Sequence, residues 1–489
     1  MMKSPVTPTR IVPFWLLLTL VGLLPFAAYA PALSDRYGFR DDYSTLRESQ
    51  DDLRTTLNFC ASQGRPLYGF FLARVCSLVE EVDNLGYLRA LGVGLASAVA
   101  LLLTWALHRR IGLQAELAAG IGLLVALLPS AQVKVAWAIC GPHIFGAVFG
   151  LSAFLLADAP AQKKLWSTLG AVILVMSGAL FYQSDVMLYL VPVVAAGIYY
   201  EGRHDARWAL RHGLILFGGL ALAFVVIKLL FAAGIFLPSK RVSLEAAPLS
   251  KMAWYTQHNL QEALGLFVLR DVAGRTASGW TLVVSFSVGF IVWGGRCAWR
   301  RGRAPGVIWL GALVLGLFLA GSVTLIASER WATYRTLWAL AAVVWLLVLR
   351  PLLIFPQWLR RLFLVTSVLV ATGCATWHIR YLFAEPQAAE LAIIEEAAVR
   401  VAALKSPRVL LILEKAGESR APLRWLDEFG SNSSDCEWSP KEMLRVALRS
   451  QGAAGVAAER AMRFKSSLDR PVDTSAYDVV IDMRLESLR

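Results

Sequence analysis

The sequence predicts a mainly α protein: a polytopic transmembrane bundle of about eleven helices, followed by a small α/β domain outside the cytoplasm. Three observations predict it. Of 489 residues, 57% are hydrophobic and 17% charged, which is more apolar surface than one soluble core can hide. Apolar runs recur near the roughly 20 residues that cross a bilayer core. Basic residues gather in short segments after alternate runs, the mark of cytoplasmic loops.

Residues 14–30 form the first run. It is long for a secretory signal and shows no clear small-residue cleavage site before Pro31, so it reads as a retained span preceded by Lys3 and Arg10. Residues 31–85 then form a large extracytoplasmic loop, and run 88–107 returns to Arg109 and Arg110. Runs 111–128 and 144–157 flank a mixed segment around Lys134, Trp137 and His143, with Lys163 and Lys164 beyond. Runs 165–181 and 187–200 flank a polar break at Gln183, Ser184 and Asp185, read as a tight outer hairpin, and Arg203, Arg207 and Arg211 follow. Run 214–236 leads out to segment 238–276. The eighth span ends at Arg296, Arg300, Arg301 and Arg303. Run 307–327 leads to the short outer loop 328–335, and the tenth span to Arg350, Arg360 and Arg361. Run 362–375 ends outside, which divides the chain into a transmembrane domain, 1–377, and an extracytoplasmic α/β domain, 378–489. The formal charge of +13 would suit nucleic acid, but basic residues placed this way serve topology and membrane lipids, so no nucleic-acid partner is expected.

Within the first outer loop, residues 66–79 are apolar but too short to span, and read as an interfacial helix on the membrane or against the bundle. Gly64 permits a sharp turn before it and Pro66 suits its first turn. Glu80, Glu81 and Asp83 read as solvated. Cys60 and Cys76 share this loop, where an oxidising compartment permits a disulfide; the plainer reading, two unpaired apolar thiols, is preferred. In the C-terminal domain a helix is expected over 387–404, a strand over 408–414, a helix over 440–451 with Ser439 as N-cap and Pro440 behind it, and a strand over 477–483. Two strands are few, so this domain should lean on the membrane part. Asn432-Ser433-Ser434 matches a glycosylation sequon by pattern alone.

No internal repeat, P-loop, G-x-G-x-x-G after a strand, H-E-x-x-H or C-x-x-C is present, so nucleotide hydrolysis, dinucleotide chemistry and thiol exchange have no local support. The informative stretch is Tyr37-Gly-Phe-Arg-Asp-Asp-Tyr43, where two carboxylates follow the exit of the first span. A carboxylate at that boundary is placed to take a proton from a sugar hydroxyl beside a lipid-bound donor; a solvated acidic pair is the plainer alternative.

Asp41-Asp42-Tyr43, together with Gly64-Arg65-Pro66-Leu67 opening a hydrophobic segment and a hairpin bearing Tyr182-Gln183, resembles the integral-membrane glycosyltransferases of the GT-C superfamily, and among them the bacteriophage-type serotype-converting O-antigen glucosyltransferases. The resemblance covers the membrane region, best over 14–200 and more loosely to 377, and leaves the C-terminal segment unmatched. It implies a GT-C-like bundle, for which the placement of the basic residues puts the N-terminus in the cytoplasm and the C-terminal domain in the periplasm of a bacterial inner membrane. The implied activity moves a sugar from a polyprenyl-phosphate donor to an extracytoplasmic glycan or lipid acceptor. By the same resemblance Asp41 or Asp42 is the catalytic carboxylate; the sequence does not choose between them.

Such a reaction needs fixed cations where the phosphate leaves. Candidates for donor phosphate are Arg65, Lys240, Arg241, Arg330 and Arg335, the last two on the short loop 328–335, on the side of the membrane where arginine is otherwise depleted. Headgroup anchoring is the alternative for each. Tyr43, Tyr182, Gln183, Asp185 and the intramembrane Lys228 are candidates for the substrate cavity, with snorkelling the alternative for Lys228. Glu116 has Arg109 or Arg110 as expected partners. No cofactor is expected; acidic outer-loop residues are too sparse a ligand set to commit to a divalent ion. A transporter or flippase, or a surface-polysaccharide ligase or polymerase working through segment 238–276, are the competing classes; repeated broken helices, which transport would favour, are not visible.

Overall fold

The computed structural model describes residues 13–159, 164–199, 205–270, 277–413, 428–467 and 473–484. Lys3, Arg10, Lys163, Arg203, the end of the expected sixth span at Tyr200 and the end of the first expected strand at Glu414 lie outside the described residues. The protein is mainly helical, and six described helices are long and apolar enough to cross a membrane: Val82–Ile111, Ala138–Ala157, Ala206–Ala232, Ser278–Arg300, Arg303–Ala320 and Gln357–Ala402. A bent pair, Ala115–Ala126 and Pro129–Ala136, turns through 51° and adds a seventh if counted as one crossing. The bend falls where Pro129 blocks helical geometry at Leu128, whose backbone is extended. Phe14–Ala28, Leu165–Phe181, Gln183–Ile198 and Trp338–Ile354 are shorter apolar helices.

The helix Trp338–Leu349 is buried along its whole length, which is why it is apolar on every face. It packs against Ala115–Ala126, Leu190–Ile198, Ala277–Arg300 and Arg303–Ala320, and its Trp338 indole donates to the Val125 carbonyl at 2.8 Å. Helices Phe145–Ala157 and Lys164–Phe181 pack extensively against each other. Small residues allow it: a Cβ on Gly146 would stand 3.2 Å from the Gly178 carbonyl oxygen, and one on Gly178 3.1 Å from that of Gly146.

Residues 31–85 are helical rather than extended, with Asp41–Asp51, Leu53–Ser62 and Pro66–Val79 packed on one another. The expected short helix at 66–79 is present; it also contacts Lys164–Phe181 of the bundle while leaving Phe70 and Leu78 exposed. Cys60 and Cys76 are buried, unpaired thiols. Buried Arg89 ties this region to the bundle by donating to the carbonyls of Ala32, Tyr37 and Asp35 at 2.6, 2.7 and 2.9 Å. Segment 238–276 also carries helices, among them Pro248–Tyr255 and Gln261–Leu264.

The helix Gln357–Ile379 continues through the wide turn Arg380–Ala384 into Glu385–Ala402, with no helical break at 377. Beyond it stands a three-stranded parallel sheet in the order β2-β1-β3: β1 is Arg408–Ile412, β2 Arg463–Ser467 and β3 Val479–Asp482. The sequence reading missed β2. Its residues, Arg-Phe-Lys-Ser-Ser, are largely exposed at the sheet edge and carry no apolar run. Two smaller expectations are corrected. Ser439 is the first residue of the helix Ser439–Arg449 rather than its N-cap, and its hydroxyl reaches the Arg40 carbonyl at 3.5 Å. Glu116 pairs with Arg361, at 2.6 and 2.7 Å, instead of Arg109 or Arg110. Asn432 is buried in a capping box, so its sequon-like pattern serves local structure. The helix Ser439–Arg449 lies on Asp41–Asp51, joined by ion pairs of Arg47 with Glu442 and of Arg449 with Asp51.

Candidate functional site: a polar cavity joined to an apolar groove

Two hollows lie where the 31–85 helices meet the bundle, and the C-terminal segment closes the first of them. The first, of about 700 Å³, is lined by Asp41, Glu48, Arg65, Trp137, His143 and Arg335 among others, with Trp438 and Asp435 contributed by the C-terminal segment. The second, of about 490 Å³, is largely apolar and runs along Ala206–Ala232 past Leu220, Phe224, Ile227 and Phe231. Gln63, Arg65, Arg241 and Trp331 line both, so a cationic and aromatic wall joins a polar chamber to a greasy groove.

The two aspartates at the start of Asp41–Asp51 part ways. Arg40 immediately before them has a φ of 46°, a strained value for a residue with a side chain, and its N–H is held by the Ser433 hydroxyl at 3.0 Å. This turn sends Asp41 to the cavity, where the Trp438 indole N–H donates to its Oδ1 at 3.0 Å. Asp42 points inward and is wholly buried; its oxygens accept the backbone N–H groups of Phe39 at 2.8 Å and Ile139 at 3.0 Å. Burial pushes the Asp42 carboxyl up to about 7, against the opposing pull of those two N–H groups. Tyr43 is also buried away from both hollows, its hydroxyl bonded to the N–H and carbonyl of Gly38 at 3.1 Å each.

A group whose value rises on folding stabilises the fold most below its unfolded value, and that contribution fades as pH rises to the folded value. For Asp42 the window runs from the ordinary carboxylate range to about 7. Thermal midpoints of the wild type should therefore fall across this window more steeply than those of Asp42→Asn. Parallel midpoint curves for the two proteins would reject the assignment.

Arg335 is deeply placed: its guanidinium pairs with Glu428 at 3.1 Å and stands 4.5 Å from the Trp137 ring centre and 5.4 Å from that of Trp331. Its carbonyl accepts from Lys134 Nζ at 2.7 Å, and Lys134 forms a fully buried ion pair with Asp185 at 2.5 Å. Arg65 packs on the Tyr182 ring at 4.5 Å, and its Nε has no hydrogen-bond partner among the described residues. Arg241 pairs with Glu329 at 3.1 Å, reaches Gln63 at 3.3 Å and covers Trp331 at 4.8 Å.

Of the residues singled out from sequence, Asp41, Arg65, Arg241 and Arg335 thus line the polar cavity, while Tyr182, Gln183 and Lys228 line the groove. Gln183 fixes the turn at Gly64 by donating to its carbonyl at 2.7 Å, and Lys228 lies 5.2 Å from the Phe224 ring. Asp42, Tyr43 and Asp185 line neither hollow, nor do Lys240 and Arg330. Arg330 bonds Ser250 at 2.9 Å and faces Glu245 at 3.8 Å. Trp331, Glu48 and Trp438 were not singled out. Trp331 lies between Arg330 and Arg335 on the short outer loop, a local signal, but nothing local in the sequence marks Trp438 as a neighbour of Asp41.

No group of three or more His, Cys, Asp and Glu side chains among the described residues is arranged to hold a metal ion. No protein-family model and no curated protein matches the chain.

Proposed function

We propose that the protein is a membrane glycosyltransferase of GT-C type that moves a sugar from a polyprenyl-phosphate donor to an extracytoplasmic glycan or lipid acceptor. What carries the reading is the meeting of the apolar groove and the polar cavity at Arg65, Arg241 and Trp331. An amphiphilic donor has the same division: a hydrocarbon tail, an anionic phosphate and a hydroxyl-rich head. In this reading the tail occupies the groove beside Ala206–Ala232, the phosphate meets Arg65 and Arg241, and the sugar enters the cavity that Asp41 lines. The chain makes about eleven crossings of a bacterial inner membrane, the shorter apolar helices included. The N-terminus is cytoplasmic, and the cavity and C-terminal domain face the periplasm.

The step follows from these placements. Asp41 takes the proton of an acceptor hydroxyl as its oxygen attacks the anomeric carbon. A new carbon–oxygen bond forms there, the bond from the same carbon to the phosphate oxygen breaks, and polyprenyl phosphate leaves with the electron pair. The arginines stabilise the growing negative charge, in a partly water-excluded place where fixed charges count for most. One displacement inverts the anomeric configuration.

Purified protein given a panel of polyprenyl-phosphate sugars and extracted cell-envelope glycan should release polyprenyl phosphate only when both are present. A flippase would relocate the lipid without that release. Absence of release with every donor would overturn the reading.

A further inference from the structure

Two residues that line the polar cavity carry ring nitrogens without a hydrogen-bond partner among the described residues. His143 is 2% exposed, lines the cavity and has no hydrogen-bond partner for either ring nitrogen among the described residues. Trp137, 3% exposed, lines the same cavity, and its indole N–H likewise has no partner among the described residues. Burying polar groups without partners is costly, and native folds rarely do so without return.

Both rings are locked in place. His143 stacks on Tyr182 at 4.0 Å and 21° and meets Tyr68 at 4.3 Å, while the Tyr68 hydroxyl is anchored on the Ile139 carbonyl at 2.7 Å. Trp137 is held edge-on against Phe39 at 4.8 Å and capped by Arg335. Neither ring can turn away to find a partner without unpacking its neighbours.

We propose that His143 and Trp137 form the subsite for the donor's sugar ring, an inference that rests on the glycosyltransferase reading. A neutral imidazole offers one N–H and one lone pair, which suits sugar hydroxyls, since each can both donate and accept. A phosphate carries only acceptors and would be opposed by that lone pair. The phosphate is served instead by Arg65, which packs on the same Tyr182 ring as His143. Sugar and phosphate subsites thus adjoin through one tyrosine, and the sugar subsite shares its cavity with Asp41.

The test compares binding of polyprenyl phosphate with binding of the same lipid carrying glucose, galactose or N-acetylglucosamine, by full-length protein in nanodiscs. Wild type should favour one glycosylated lipid by roughly tenfold, the scale of one or two hydrogen bonds. His143→Phe, which keeps the stacking, should bring that ratio close to one, and His143→Gln, which keeps a donor and an acceptor, should retain part of it. Trp137→Phe gives a second reading should His143→Phe fold poorly, and should also reduce the ratio. If wild type binds the lipids without preference, or both aromatic variants keep the wild-type ratio, the sugar subsite is wrong and the donor reading stands. If wild type binds none of the lipids, the donor reading falls and the subsite falls with it.

Discussion

Asp41→Asn should lower the release of polyprenyl phosphate by about 100- to 10,000-fold, the usual contribution of a positioned general base. The change is nearly isosteric, and the Trp438 N–H that meets Asp41 Oδ1 at 3.0 Å still finds a carbonyl oxygen on asparagine. Folding should therefore survive, and thermal midpoints within a degree or two of wild type would show that chemistry alone was lost. Asp42→Asn should behave differently. It places an amide NH2 against one of two backbone N–H donors, those of Phe39 and Ile139, and should cost roughly 1–3 kcal/mol of stability. Its turnover per folded molecule should exceed that of Asp41→Asn. Should Asp41→Asn work at the wild-type rate, Asp41 is not the base, and Glu48, the next carboxylate on the cavity wall, becomes the residue to change.

That contrast shows what a sequence withholds. Adjacent aspartates look alike in one dimension, and their separation depends on the backbone turn at Arg40 and on the N–H of Ile139, 97 residues away. Periodicity and length were enough for what is local: apolar helices and the short helix Pro66–Val79 follow from residue patterns within one element, whereas the break expected at Gln183, Ser184 and Asp185 falls at the extended Tyr182, with Gln183–Val186 helical. The site is not local. Arg335 meets Glu428 across 93 residues, and Trp438 meets Asp41 across 397, and no spacing rule spans such distances. Lys134 and Asp185 were legible as polar residues in apolar surroundings, yet their mutual pairing, across 51 residues, removes both from the cavity wall. Strand β2 escaped for the opposite reason, because an exposed edge strand needs no apolar pattern at all.

The Lys134–Asp185 pair should dominate stability rather than catalysis. Both side chains are wholly buried, and Lys134 also donates to the Arg335 carbonyl. Lys134→Met leaves the Asp185 carboxylate without its counter-charge, and removal of one partner from such a pair costs about 3–5 kcal/mol. Asp185→Leu should cost a similar amount by stranding the ammonium. Coulomb attraction and desolvation largely cancel in an intact buried pair, so Lys134→Met combined with Asp185→Leu should be far more stable than the sum of the single losses. Recovery should stop short of wild type, because the Arg335 carbonyl still lacks its donor. That residual has a catalytic reading: with the loop around Arg335 less firmly held, the double variant should fold well yet turn over more slowly. Thermal midpoints of the four proteins, measured in the same detergent, decide the matter. If the double variant loses as much as the two single variants together, the residues are not coupled, and the pair does not fix the Arg335 loop to the bundle.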